Sequence, residues 1–281
     1  MATNVENVAL ANNIELFKNY VEDPNNTYGV LTGDLVTGDL ETSMVEFIGA
    51  STMSYPVMPL PTGDLPNYSR TNGYERLNVA LERKEITVSQ DKGYQLAIDA
   101  LDLIDSHTTA VQFLNHNIRT LEVPSVDKYR LNELATTATA KGTVTDDPLA
   151  DYDVAAASLF NAHFPLAGTI MYSNTTHYNK IKASDRIKRT LSATDGNITS
   201  TVQMIDGVTK IVMVPLDKMP AGVDFILVSP LAIIAGIKRD KSSVKTDPED
   251  FDGVLVNRRL VHDCFVLEDR VKGIYVGESA A

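Results

Sequence analysis

The chain has 281 residues, 43% of them hydrophobic and 22% charged, with no tryptophan, one cysteine and a formal net charge of −12. This allows a sizeable core in one large or two small domains, and the lone cysteine excludes an internal disulfide framework. The acid excess argues against a nucleic-acid coat, whose phosphate affinity needs Lys and Arg, and no apolar run of about 18 residues offers a transmembrane helix.

Along the chain, "VENVALANNIELFKNYV" at residues 5–21 has the spacing of an amphipathic helix capped by Asn4. The opening residues lack the basic-then-apolar layout of a signal peptide. The four Asn-x-Ser/Thr sequons, at Asn25, Asn67, Asn174 and Asn197, are therefore read as chance. The next stretch, "EDPNNTYGVLTGDLVTGDLET", joins Pro, Gly, Asn and Asp with few large apolar residues, and is expected to be an extended arm unable to bury itself. Residues 1–64 hold nine acidic side chains and one basic one, Lys18, a net −8, against −4 for the remaining 217. Such an arm is either a solubilising segment or one that meets basic surfaces on a partner or sister subunit.

Pro56, Pro59, Pro61 and Pro66 forbid a central strand across residues 55–66. "NYSRTNGYER" follows with two tyrosines, two arginines and an Asn-Gly turn signal. Two β-rich runs within "NVALERKEITVSQDKGYQLAID" are expected to be joined by the turn "SQDKG". A long polar excursion thus projects from a strand framework, and long loops in compact domains usually serve function. From Ser106, a candidate N-cap, helical periodicity predicts a strut to about residue 141, kinked or split by Pro124 and stopped by Gly142. Beyond it come a helix at "DVAAASLFNAHF", a strand at "TIMYS", a short helix or turn from Asn174, short strands at "KIVMVPL", "DFILVS" and "LAIIAGI", a polar loop "DKSSVKTDPEDFDG", and terminal strands around an acidic turn.

Few residues are arranged for chemistry. Cys264 follows His262 and Asp263 in "LVHDCFVLE", where period-two alternation puts Cys264 on one face with His262 and Val266, and Asp263 with Phe265 on the other. Nucleophiles favour elbows and helix N-termini, and a mid-strand cysteine among apolar residues reads as a small buried hydrophobe. A thiol hydrolase using Cys264 and His262 stays as an alternative, as does a monomeric β-rich binding module using the tyrosine-rich loop. There is no G-x-S-x-G elbow, Walker loop, G-x-G-x-x-G or H-E-x-x-H. The "DPEDFDG" loop fails the calcium-loop pattern at Pro248 and Arg259, and the five histidines lack zinc spacing. No catalytic residue, cofactor or metal is expected.

Six stretches, in order, carry a resemblance: "EFIGASTMSY", "LPNYSRTNGY", "ITVSQDKGYQLAIDALD", "LEVPSVDKYRLNELA", "DFILVSPLAI" and "DGVLVNRRLVHDCFVLEDRVKGIYV". Together they resemble the major capsid protein of tailed bacteriophages, with the Hong Kong 97-like fold. The resemblance implies an α+β chain with an N-terminal arm at 1–50, peripheral-domain strands at 51–105 and an extended β-hairpin loop at about 56–80. It further implies a spine helix of the peripheral domain at 106–142, an axial domain at 143–250, and C-terminal strands at 251–281 returning to the peripheral domain. Tyr68, Arg70, Tyr74, Glu75 and Arg76 of the loop would make subunit contacts. The chain would self-assemble as hexamers and pentamers into an icosahedral head around double-stranded DNA, without sequence-specific or membrane binding. It would work with a portal protein in the virion, after assembly in the bacterial host cytoplasm. Some family members cross-link subunits through a loop lysine, but no lysine lies between Pro59 and Asn78. Others carry a long cleaved scaffolding segment; only about 50 residues precede the strand framework here, so a separate scaffolding protein is expected.

Overall fold

The computed structural model describes residues 31–35, 46–47, 52–57, 70–71, 82–101, 110–184, 204–206, 209–246, 248–249 and 252–279. The helix expected at 5–21 and the Ser106 cap lie outside them. The described strands are β1 (Glu46–Phe47), β2 (Thr52–Val57), β3 (Glu82–Thr87), β4 (Gln90–Asp99), β5 (Ala140–Thr143), β6 (Ile170–Asn174), β7 (Met204–Ile205), β8 (Thr209–Val214), β9 (Val223–Val228), β10 (Ile233–Thr246), β11 (Gly253–Val266) and β12 (Ile274–Glu278). They form a small sheet β1-β2-β3, a long-stranded sheet β10-β11-β4 and a six-stranded sheet β5-β12-β9-β6-β8-β7.

A helical rod joins the two larger sheets. It comprises α1 (Ala110–Asn117), a π turn (Ile118–Glu122) and α2 (Val123–Thr137). Its 28 residues span about 42 Å at 1.5 Å each. Pro124 does not split it: the proline sits in the first turn of α2, directly after the wide π turn, where a missing N–H costs least. Leu114 and Ile118 of the rod pack on Ile98, Val254 and Val256 of the long-stranded sheet. Leu131 and Leu134, further along, pack on Tyr172, Ile226, Val228 and Val276 of the six-stranded sheet, beside Ala235 and Cys264. The opposite face of that sheet carries Met171, Phe225 and Leu227, covered by α3 (Pro148–Asn161) and α4 (Thr175–Ala183). Both helices start as their sequences require. Asp147 accepts the N–H groups of Leu149 and Ala150 at 3.1 and 3.3 Å ahead of Pro148, and Asn174 accepts that of His177 at 2.7 Å.

Several expectations are corrected. Helix does not run to Gly142; it ends at Thr137, and Gly142 lies in β5. A Cβ there would stand 2.0 Å from the Tyr275 hydroxyl, so glycine is required by close packing across the sheet and not as a stop. The polar stretch from Asp240 to Thr246 is strand, because β10 pairs residue by residue with β11 down to Thr246↔Val254. An edge strand tolerates polar side chains that a central one would not. The runs β3 and β4 do not form a hairpin with each other: β3 pairs β2, and β4 pairs β11. β12 belongs to the six-stranded sheet and not to the long-stranded one that holds β11. It lies between β5 and β9, and four of its five residues are buried, as a strand covered on both faces should be. β5 likewise joins the six-stranded sheet and β10 the long-stranded one, so the chain passes between the two sheets several times. Within the supposed unburied arm, Thr32 and Leu35 are fully buried.

Candidate functional site: the β11 strand and the hairpin root

β11 alternates as its sequence requires. Val254, Val256, Arg258, Leu260, His262 and Cys264 all point inward and are buried. Burial pushes the Cys264 thiol up to about 12, so it is a neutral thiol at pH 7. Burial, and then the Arg130 cation, pull the His262 imidazole down to about 4, with Asp263 opposing. A thiolate–imidazolium pair needs the opposite shifts. Asp263, the third member of the apparent triad, is spent elsewhere. It accepts the Tyr129 hydroxyl at 2.6 Å, the Ser89 N–H at 2.6 Å and the Cys264 N–H at 2.8 Å, tying α2 to β11 and to the start of β4. Cys264 is therefore a packing residue at the junction of rod and sheets.

The charged members of that inward face are held by the rod. Arg258 makes a two-pronged contact with Glu122 at 2.9 and 3.0 Å, donates to Ser242 at 3.1 Å and pairs with Asp240. The Tyr94 hydroxyl donates to the same glutamate at 2.5 Å. Glu122 ends the π turn, which gives that turn a purpose: it aims a carboxylate at a buried guanidinium. One rod turn later, Asp127 accepts the N–H and hydroxyl of Thr32 at 3.2 and 2.8 Å, and Arg130 donates to the Thr32 hydroxyl at 3.1 Å. With Leu35 in the main core, this anchors residues 31–35 against rod and sheet.

The small sheet is the root of the proline-rich excursion. β2 and β3 pair from Thr52↔Thr87 to Val57↔Glu82, and Arg83 donates to the Ser54 hydroxyl at 3.0 Å. Of the five contact residues expected from sequence, Arg70 lies in an exposed turn with Thr71; Tyr68, Tyr74, Glu75 and Arg76 lie outside the described residues. Beside the root, a cleft of about 440 Å³ opens between β3, α2 and the end of β11. Among the described residues, no cluster of three or more His, Cys, Asp and Glu could hold a metal ion, and no helix is long and apolar enough to cross a membrane. Glu122, Asp127 and Arg130 were not singled out from sequence. A signal existed for Arg258, a charge in phase with Val254, Val256 and Leu260.

A mixed fold with a long helical rod, a hairpin root and a buried six-stranded sheet defines a class by architecture, not by an active site. No family profile and no curated protein matches the sequence. Solved structures do match. The chain is similar to a Mycobacterium phage Che8 structure at 16% identity and TM-score 0.62, covering 82% of this chain and 85% of that one. It is similar to the capsid structure of cyanophage P-SCSP1u at 13% identity and TM-score 0.61, covering 83% and 85%. It is also similar to a virus-like particle from Pyrococcus furiosus at 12% identity and TM-score 0.59, covering 94% and 98%. The chain has the Hong Kong 97-like phage-capsid fold.

Proposed function

We propose that this chain is the major coat subunit of a tailed-phage head, assembling as hexamers and pentamers into an icosahedral shell around double-stranded DNA. The observation that carries the reading is the extent of the likeness: the capsid fold runs through more than four-fifths of the chain and of its structural neighbours, leaving no room for a separate catalytic domain in the matched part. In this reading the long-stranded sheet and rod form the peripheral region, the six-stranded sheet with α3 and α4 the axial region, residues 1–50 the arm, and residues 56–80 the extended loop. Tyr68, Arg70, Tyr74, Glu75 and Arg76 contact neighbours, since Tyr and Arg bury large areas while keeping polar tips satisfied. Many modest contacts per subunit multiply into a stable shell. The net charge of −12 suits a container that must take up DNA and release it. A separate scaffolding protein and a portal complete the assembly, which proceeds in the host cytoplasm and ends in the virion.

Electron microscopy of the purified chain tests this. Closed shells of megadalton mass are expected, and a preparation containing only small species overturns it. Because the loop between Pro59 and Asn78 has no lysine for a covalent link, boiled particles should run on denaturing gels near the monomer mass of 30.7 kDa.

A further inference from the structure

Two arginines are buried against the rod, Arg258 on β11 and Arg130 in the middle of α2. They differ in what meets the guanidinium. Arg258 turns its Nε–Nη2 edge to Glu122, at 2.9 and 3.0 Å. Arg130 is 0% exposed and donates from Nη1 to the Thr32 hydroxyl at 3.1 Å. Its Nε and Nη2, the same edge that Glu122 fills on Arg258, are buried and have no hydrogen-bond partner among the described residues. That edge presents parallel N–H groups and grips anions two at a time. Buried donors are met by protein, water or an ion in nearly every case, and on a buried cation an unmet edge is especially costly.

The nearby carboxylate is already engaged. Asp127 accepts the N–H and hydroxyl of Thr32 at 3.2 and 2.8 Å and pairs with Lys218 at 3.6 Å, so one acid stands against two cations. Two other buried atoms in this neighbourhood also lack partners among the described residues: the Tyr172 hydroxyl on β6 and Nδ1 of His262 on β11. Both groups feel the Arg130 cation. Burial lowers the His262 imidazole and the cation adds to that; burial and Asp34 raise the Tyr172 phenol and the cation opposes them. The surroundings are thus rich in donors and carry surplus positive charge. A water molecule would accept from the N–H groups but leave the charge unbalanced, whereas an anion answers both. Arg130 and Tyr172 are fully buried and His262 nearly so, which restricts the occupant to one that the fold can enclose.

We propose that the Nε–Nη2 edge of Arg130 holds a monovalent anion of halide size, chloride in ordinary salt, with the Tyr172 hydroxyl as a further donor. The site lies where α2, β6, β11 and residues 31–35 meet, and the ion does there what the Glu122 carboxylate does for Arg258. The shell reading neither requires this site nor supplies it, so the two stand or fall separately.

The test is denaturant unfolding of the full-length chain at fixed ionic strength, with sodium chloride or bromide exchanged for sodium isethionate, whose anion is too large for the site. A tenfold rise in halide above its Kd should raise the wild-type folding constant about tenfold. Salts also act on stability in general, so Arg130→Met, which keeps the stem and removes the charge, is measured beside it and should lose the halide-specific part. Should that variant not fold, the wild-type chain decides the case alone: crystals grown in bromide should give an anomalous peak within hydrogen-bond reach of Arg130 Nε and Nη2. Wild-type unfolding that is indifferent to halide overturns the proposal. So does a halide dependence that Arg130→Met retains in full, or an Arg130 edge filled by water or by a carbonyl of the chain.

Discussion

At Arg258 and Asp263, in the frame of rod and larger sheets, buried charge is met by several partners within the chain, whereas the cleft beside the hairpin root is lined by three carboxylates and one lysine. Arg258 is fully buried and met by Glu122, Asp240 and Ser242, with Tyr94 completing the glutamate. Asp263 has three donors. Beside the hairpin root, three carboxylates line one cleft with one lysine, and Arg70 lies in an exposed turn. The lesson is one of dielectric. Inside the frame an unmatched charge would cost several kcal/mol, so sequence and fold must supply the partner. At the surface the cost is small, and unmatched charge can be kept for another molecule.

This contrast can be broken in graded ways. The largest effect falls on assembly: Arg70→Glu combined with Arg76→Glu should leave the circular dichroism spectrum and melting of the subunit unchanged while abolishing closed shells in sedimentation. Normal shells would make the hairpin ornamental. Glu122→Ala should do the reverse, acting on the frame. Stranding the Arg258 cation should cost about 3–5 kcal/mol in denaturant unfolding, and a loss below about 1 kcal/mol would mean that the network is solvent-relaxed.

The pH dependence is the next largest. His262 is buried neutral with its pKa lowered to about 4, so only the unfolded chain takes up its proton between about 6.5 and 4. Its contribution is complete above pH 6.5 and declines as pH falls toward 4, by about 3 kcal/mol in all. Replacing His262 with Gln should flatten that part of the stability–pH curve; an unchanged slope would assign it to other groups. Cys264→Ser is the smallest, about 1–2 kcal/mol for placing a hydroxyl in an apolar site, with particle formation retained. Loss of assembly from a subunit that still folds would contradict its packing role.

What could be read from sequence was local. Period-two alternation put His262 and Cys264 on one face of β11, and Asn174 marked the start of a short helix or turn. What could not be read was set by partners far along the chain. Gly142 looks like a helix stop until Tyr275 is placed against it. The run from Asp240 to Thr246 has loop composition, and only the long strand β11 beside it makes it a strand. Gly277 is similar: a Cβ there would lie 2.2 Å from Phe225, whose ring stacks between His177 and Tyr275. Thr32, inside a stretch with the composition of an unburied arm, is drawn into the core by Asp127 and Arg130. For the excursion, composition gave only the expectation of a projecting element, while the acidic cleft beside its root is assembled from β3, α2 and β11, segments well separated in the chain.

Amide hydrogen exchange, measured on unassembled subunits and on particles, tests the division between frame and hairpin most directly. Residues 226–228 and 274–276, in the centre of the six-stranded sheet, should be equally protected in both states. Residues 67–77 should exchange rapidly in the subunit and become protected on assembly. Equal exchange of residues 67–77 in the two states would contradict the account.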